Sequence, residues 1–119
     1  MIELRTVSTF QEFVSINQQD LILIAFGTPW SSPCRHQYQV LVNFMRTYKG
    51  NLAIGRVDVE KNPEIARKCT IHTVPTLIVY RKTREVKRAL GVQSVETLTT
   101  LLQASPPNGN LESLIFSQP

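Results

Sequence analysis

The chain has 119 residues, enough for one domain with a real core. Hydrophobic residues make up 42% and charged residues 18%, a globular composition, and no apolar run approaches the ~20 residues that cross a bilayer. The net charge of +4 comes without interleaved aromatics, which argues against nucleic acid as a partner, and two cysteines are too few for a secreted disulfide scaffold. The opening Met1-Ile2-Glu3-Leu4-Arg5 has no charged head followed by an apolar stretch, so no signal peptide and a cytoplasmic location are expected.

In chain order, Phe10, Phe13 and Val14 recur at helical spacing and predict a helix over Ser8 to Ile16, with Ser8 or Thr9 as its N-cap. Leu21 to Phe26 is an unbroken aliphatic run ending at Gly27, the pattern of a strand buried on both faces. Ser32 and Pro33 then suit the cap and first position of a helix running to about Tyr48. Its buried stripe is read as Val40, Leu41, Phe44 and Met45. Leu52 to Val59 alternates and predicts a second strand, and Asn62-Pro63 opens a short helix over Glu64 to Cys69. Thr76 to Tyr80 is a third strand, joined by a turn to a fourth over Glu85 to Leu90, which Gly91 ends. Ser94 caps a last helix with Val95, Leu98, Leu101 and Leu102 facing in. Strands alternating with helices, then a hairpin and a helix, predict an α/β fold with a mixed sheet covered on both faces.

Two segments stand apart from this pattern. Arg81, Lys82, Arg84, Lys87 and Arg88 fall within eight residues with only Glu85 against them: a solvated hairpin turn or a docking patch for an acidic partner. Ser105-Pro106-Pro107-Asn108-Gly109-Asn110 is a break. It divides an expected domain of residues 1–104 from an extension, 105–119, whose Leu111, Leu114, Ile115 and Phe116 are expected either to belong to a tail that folds back or stays partly disordered, or to clamp a partner or a second copy.

The chemistry concentrates at Trp30-Ser31-Ser32-Pro33-Cys34. A helix-opening Cys-x-Pro-Cys after a buried strand is how thiol–disulfide enzymes mount two sulfurs. Here Cys34 is present and Ser31 stands where the first sulfur belongs. Three further motifs follow in order: Val57-Asp58-Val59-Glu60-Lys61-Asn62-Pro63, Val74-Pro75-Thr76 and Gly91. Together, over residues 5 to 103, these resemble the thioredoxin family. The resemblance implies the thioredoxin fold, a central mixed sheet of four to five strands flanked by about four helices. It implies protein thiol–disulfide exchange, carried by the dithiol itself with no bound cofactor. Ser31 then holds the attacking-cysteine position and Cys34 the resolving one. Trp30, Pro33, Thr73, Val74, Pro75 (in cis) and Gly91 become the surface that meets an extended substrate. Implied partners are proteins with disulfides or extended segments and a thioredoxin reductase, with no nucleic acid and no membrane, for a monomer or weak dimer.

Departures from the family pattern set the functional expectation. A hydroxyl cannot carry the mixed disulfide of exchange, so the dithiol cycle is expected to fail at Ser31. Ala25 stands where many members bury an aspartate near the resolving cysteine, Gly27 where they often have a second aromatic, and Gln39 where the helix often has a proline. Ser31 is either an engineered Cys→Ser change or a natural loss, and Ala25 and Gly27 lean toward the second. The competing expectation is a redox-inactive binding module whose apolar rim (Trp30, Pro33, Val74, Pro75, Val92) holds a partner, with the basic hairpin at the opposite pole. Cys34 with His36 and Cys69 with His72 match no standard zinc spacing, so no metal is expected. Cys69 is read as a helix-end packing residue.

Overall fold

Nine elements follow one another in the computed structural model, which describes residues 1–16 and 21–103. They are β1 (Ile2–Glu3), α1 (Val7–Ile16), β2 (Leu21–Gly27), α2 (Ser32–Thr47), β3 (Leu52–Asp58), α3 (Pro63–Lys68), β4 (Thr76–Arg81), β5 (Arg84–Leu90) and α4 (Val95–Gln103). The strands form one sheet in the order β1-β3-β2-β4-β5. β3 pairs in parallel with β1 and β2, and β4 runs antiparallel to β2 and β5. The sheet is therefore mixed and five-stranded, with α1 and α3 on one face and α2 and α4 on the other.

Position in the sheet explains the sequence of β2. It is the central strand, every one of its residues is buried, and its side chains alternate between two cores. Leu21, Leu23 and Ala25 join Leu41, Phe44, Leu98 and Leu102 beneath α2 and α4. Ile22, Ile24 and Phe26 join Val14, Ile65 and Tyr80 beneath α1 and α3. Each large aliphatic or aromatic side chain taken fully out of water there stabilises the fold by about 1.5–3 kcal/mol.

Several sequence expectations are corrected at element ends. Thr6, not Ser8 or Thr9, starts α1: its hydroxyl accepts from Thr9 N–H at 3.0 Å, and Thr9 Oγ1 accepts from Thr6 N–H at 3.1 Å. The cap of α2 is Ser31, with Ser32 and Pro33 inside the first turn. β3 stops at Asp58, whose carboxylate turns back to accept from the N–H groups of Glu60 and Lys61. α3 begins at Pro63, with Cys69 just past its end. Met45 and Val95, expected inside, are 42% and 39% exposed. On α2 the buried stripe is Cys34, Gln37, Leu41 and Phe44, so it contains a polar residue that hydrophobic spacing passed over. β1, two residues long, had no sequence signature. Ser94 caps α4 as expected, accepting from Thr97 N–H at 3.2 Å. The extension 105–119 lies outside the described residues.

Candidate functional site

At the carboxyl end of β2 the chain turns through Thr28-Pro29-Trp30 into α2, and this turn carries the motif. The Ser31 hydroxyl oxygen accepts from the Cys34 N–H at 3.4 Å, while its carbonyl accepts from Arg35 N–H at 3.0 Å. The Ser31 side chain is thus a helix cap, a role for which serine is among the best residues. Cys34, one turn on, is completely buried. Arg35 folds back and donates to the carbonyl oxygens of Trp30 at 2.6 Å and Pro29 at 3.3 Å, closing the loop over the start of the helix.

Behind the sulfur lies an arrangement that explains Gly27. A Cβ added at Gly27 would sit 2.7 Å from Cys34 Sγ and 3.0 Å from the Tyr38 hydroxyl. No side chain fits there while those two atoms stay in place, because interiors are close-packed. The glycine that departs from the family's frequent aromatic is therefore matched to Tyr38, which brings a hydroxyl to the space beside the sulfur. Burial pushes the Tyr38 phenol up to about 12, and the neighbouring Cys34 sulfur adds to the rise. The Arg56 guanidinium lies 5.4 Å over the Tyr38 ring and is itself 3.3 Å from Glu3. Tyr38 also walls a cavity of about 300 Å³ reached between Arg35, Arg56, Asp58 and Lys61. Ala25 contributes only a methyl group to the dry core under α2.

Three loops meet at this end of the sheet. The Val74–Pro75 peptide is cis, and Thr76 Oγ1 donates to the Thr73 carbonyl at 2.7 Å, fixing the turn. Gly91, at φ +82 where a side chain would be strained, donates its N–H to the Pro75 carbonyl at 2.8 Å. Gln93 N–H donates to Gln37 Oε1 at 2.6 Å, and Gln37 Nε2 donates to the Gln93 carbonyl at 3.1 Å. Gln93 in turn donates from Nε2 to the carbonyls of Leu90 and Gly91. Fully buried Gln37 thus ties α2 to the loop that supports the cis turn. Trp30 lies out on the surface, 66% exposed, with its indole N–H held by Glu60 Oε1 at 2.8 Å.

Comparison with known proteins points one way. The thioredoxin family model matches residues 2–104. The chain belongs to the thioredoxin family. It is 31% identical to a thioredoxin of Alicyclobacillus acidocaldarius over 82% of this chain and 90% of that one. With thioredoxin 1 of Nostoc it shares 29% over 82% and 91%. It is also 30% identical, over 92% of its length, to a bifunctional thioredoxin reductase/thioredoxin of Mycobacterium leprae, of which it spans 23%. Among solved structures, Fasciola hepatica thioredoxin superposes with a TM-score of 0.79 at 24% identity, covering 87% of this chain and 98% of that one. The fold is accordingly the thioredoxin fold.

Of the residues singled out from sequence, Ser31, Pro33 and Cys34 open one helix, Thr73 to Pro75 form the facing cis turn, and Gly91 is hydrogen-bonded to that turn. Pro75 itself is buried, so the accessible apolar rim consists of Trp30, Pro33, Val92 and the half-buried Val74, with Leu90 next to Gly91 at 63% exposure. His36 and His72 are exposed, and among the described residues no three His, Cys, Asp or Glu side chains converge as metal ligands. Gln37, Tyr38 and Gln93 were missed. The available signal for Gln37 was its place one turn after Cys34 on the stripe leading to Leu41 and Phe44. Thr28, buried with its hydroxyl unpartnered among the described residues, is a position with no evident explanation.

Proposed function

We propose that this thioredoxin-family chain keeps the protein-binding face of the thiol–disulfide exchange class but has lost the dithiol cycle, and acts by holding an extended protein segment across the Trp30/Pro75 surface. The observation that carries this is the pairing of Ser31 with Cys34. Exchange requires a thiolate to attack one sulfur of a partner disulfide, forming a mixed disulfide and expelling the other sulfur as a thiolate; a second thiolate then releases the partner. Ser31 supplies no sulfur for the first step, and its oxygen is engaged as the helix cap. Cys34 has no exposed surface from which to replace it, which also weighs against a monothiol route. Supporting the binding half are an exposed indole fixed by Glu60, a cis turn, and a loop clamped by Gln37.

This reading assigns the function to residues 1–104 and treats 105–119 as an extension, in a cytoplasmic protein. The fused reductase–thioredoxin relative supports a reductase among the proteins that recognise the face. Insulin turbidity in dithiothreitol tests the loss of the cycle: no acceleration is expected, and catalytic reduction by this chain would overturn it. Trp30 is the one tryptophan, so its emission reports on the surface directly. Carboxymethylated insulin B chain, which carries no free thiol, is expected to change that emission saturably, and less so with Val92→Glu. A flat titration sinks the binding half of the proposal.

A further inference from the structure

At the pole opposite the site, the β4–β5 hairpin carries a charge arrangement that the fold leaves unresolved. Six residues of β4 separate the cis turn from the hairpin tip, about 20 Å at the rise of a strand. Arg81 and Arg84 are directly opposite each other in the register, so their side chains leave the same face of the sheet. Lys87, opposite Val79, is on that face too. The hairpin's acid, Glu85, is opposite Tyr80 on the other face, where both its oxygens accept from Arg88 at 2.8 Å. Arg88 also donates to the carbonyls of Cys69 and Thr70. Arg88 is thus neutralised and fastened, while Arg81 and Arg84 face each other and Lys87 lines a groove with Glu96 of α4.

Two further observations set the arginine end of the hairpin apart. Arg81 Nε is buried and has no hydrogen-bond partner among the described residues. A buried N–H left unmade is destabilising, and like charges directly opposite on a sheet are too. The turn between them holds Lys82 and Thr83 both at positive φ, 51 and 66, where Asn-Gly would be relaxed. The facing charges point to their own remedy: an anion held between the two guanidinium groups by their terminal nitrogens.

The geometry points to Arg81 and Arg84 as a clasp for a carboxylate of an acidic protein segment lying along β5, with Lys87 as a supporting charge. β5 is an edge strand, so an extended segment can run beside it. Guanidinium groups bind planar carboxylates in a two-pronged fashion that lysine does not reproduce. The tip fits nucleic acid poorly, since its nearest aromatic, Tyr80, is buried and offers no stacking surface. It fits a lipid surface poorly, since its turn residues, Lys82 and Thr83, offer no apolar side chain to insert.

The test is fluorescence anisotropy of a labelled hexaglutamate peptide against the full chain at low salt and at about 0.15 M salt, with hexaglutamine as the control. Saturable binding of the glutamate peptide alone is expected. Arg84→Gln and Arg81→Lys should each weaken it by about tenfold or more, the second despite keeping the charge, and Lys87→Gln by less. Because the clasp strains the free protein, Arg84→Gln should also melt higher than the parent without peptide. The inference fails if either arginine variant binds as the parent does, if Arg84→Gln melts lower, or if an oligothymidylate or phosphatidylserine vesicles bind more tightly than the peptide. Asp20, which precedes β2 in the sequence, is the internal alternative. If Asp20→Asn tightens peptide binding about tenfold, that carboxylate already occupies the clasp and the inference is overturned; unchanged binding supports it.

Discussion

Each of the two cysteines lies beside a tyrosine, on opposite faces of the sheet, and the two pairs differ in what surrounds them. Cys34 and Tyr38 stand on consecutive turns of α2, with Gly27 below them and no room for one more carbon atom. Cys69 is at the loose end of α3, half-buried, its sulfur 3.6 Å from the Tyr80 hydroxyl with either as donor. Burial pushes the Cys69 thiol up, and Tyr80 and Arg88 partly oppose it. Cys34 is thus the more enclosed of the two.

Substitution at Gly27 breaks the first pair most severely. Gly27→Val forces both the sulfur and the phenol to move and should cost about 3 kcal/mol in urea unfolding. Adding Cys34→Ala should recover a good part of this, and a double-mutant cycle with no coupling would show that the two positions do not share that space. Gln37→Ala comes next, at about 2 kcal/mol, since it leaves the part-buried N–H and carbonyl of Gln93 without Gln37. Hydrogen exchange at Gly91 and Gln93 should accelerate with it. Cys69→Ser, in the looser pair, should cost under about 1 kcal/mol, because the hydroxyl can keep the bond to Tyr80.

The smallest effect is in pH. Tyr38 is raised from 10.0 to about 12 and Tyr80 is raised as well, so the folded state favours the protonated phenols. That contribution is fully present below about pH 10, and for Tyr38 it is lost as pH climbs from about 10 through about 12. Stability should therefore fall above pH 10, and Tyr38→Phe should flatten part of the fall while leaving the pH 6–9 region parallel to the parent. A Phe variant with an unchanged alkaline slope would remove Tyr38 from the enclosed pair.

The contrast between the pairs also marks how far the sequence could be read. β2 and the motif turn were legible because Leu21 to Phe26 has a single physical meaning and Trp30 to Cys34 a rare one. Val74-Pro75 and Gly91 were legible through the family pattern. The enclosure of Cys34 was not, since it depends on Tyr38 reaching the space above Gly27, a contact between residues eleven apart that no spacing rule encodes. Gln37 was hidden because hydrophobic periodicity discards a glutamine, although its partner lies 56 residues away. The arginine pairing of the hairpin needed the bulge at Val79/Tyr80, which moves Lys87 to the same face as Arg81 and Arg84.

The most direct measurement is the alkylation rate of Cys34 by iodoacetamide in the Cys69→Ser protein, set against the same protein unfolded in urea. An enclosed sulfur predicts a rate at least about a hundredfold slower in the folded state, with Tyr38→Ala restoring much of it. Folded protein that reacts as fast as unfolded protein would show that Cys34 is open to partners, and the chain would then have to be treated as a monothiol rather than a binding protein.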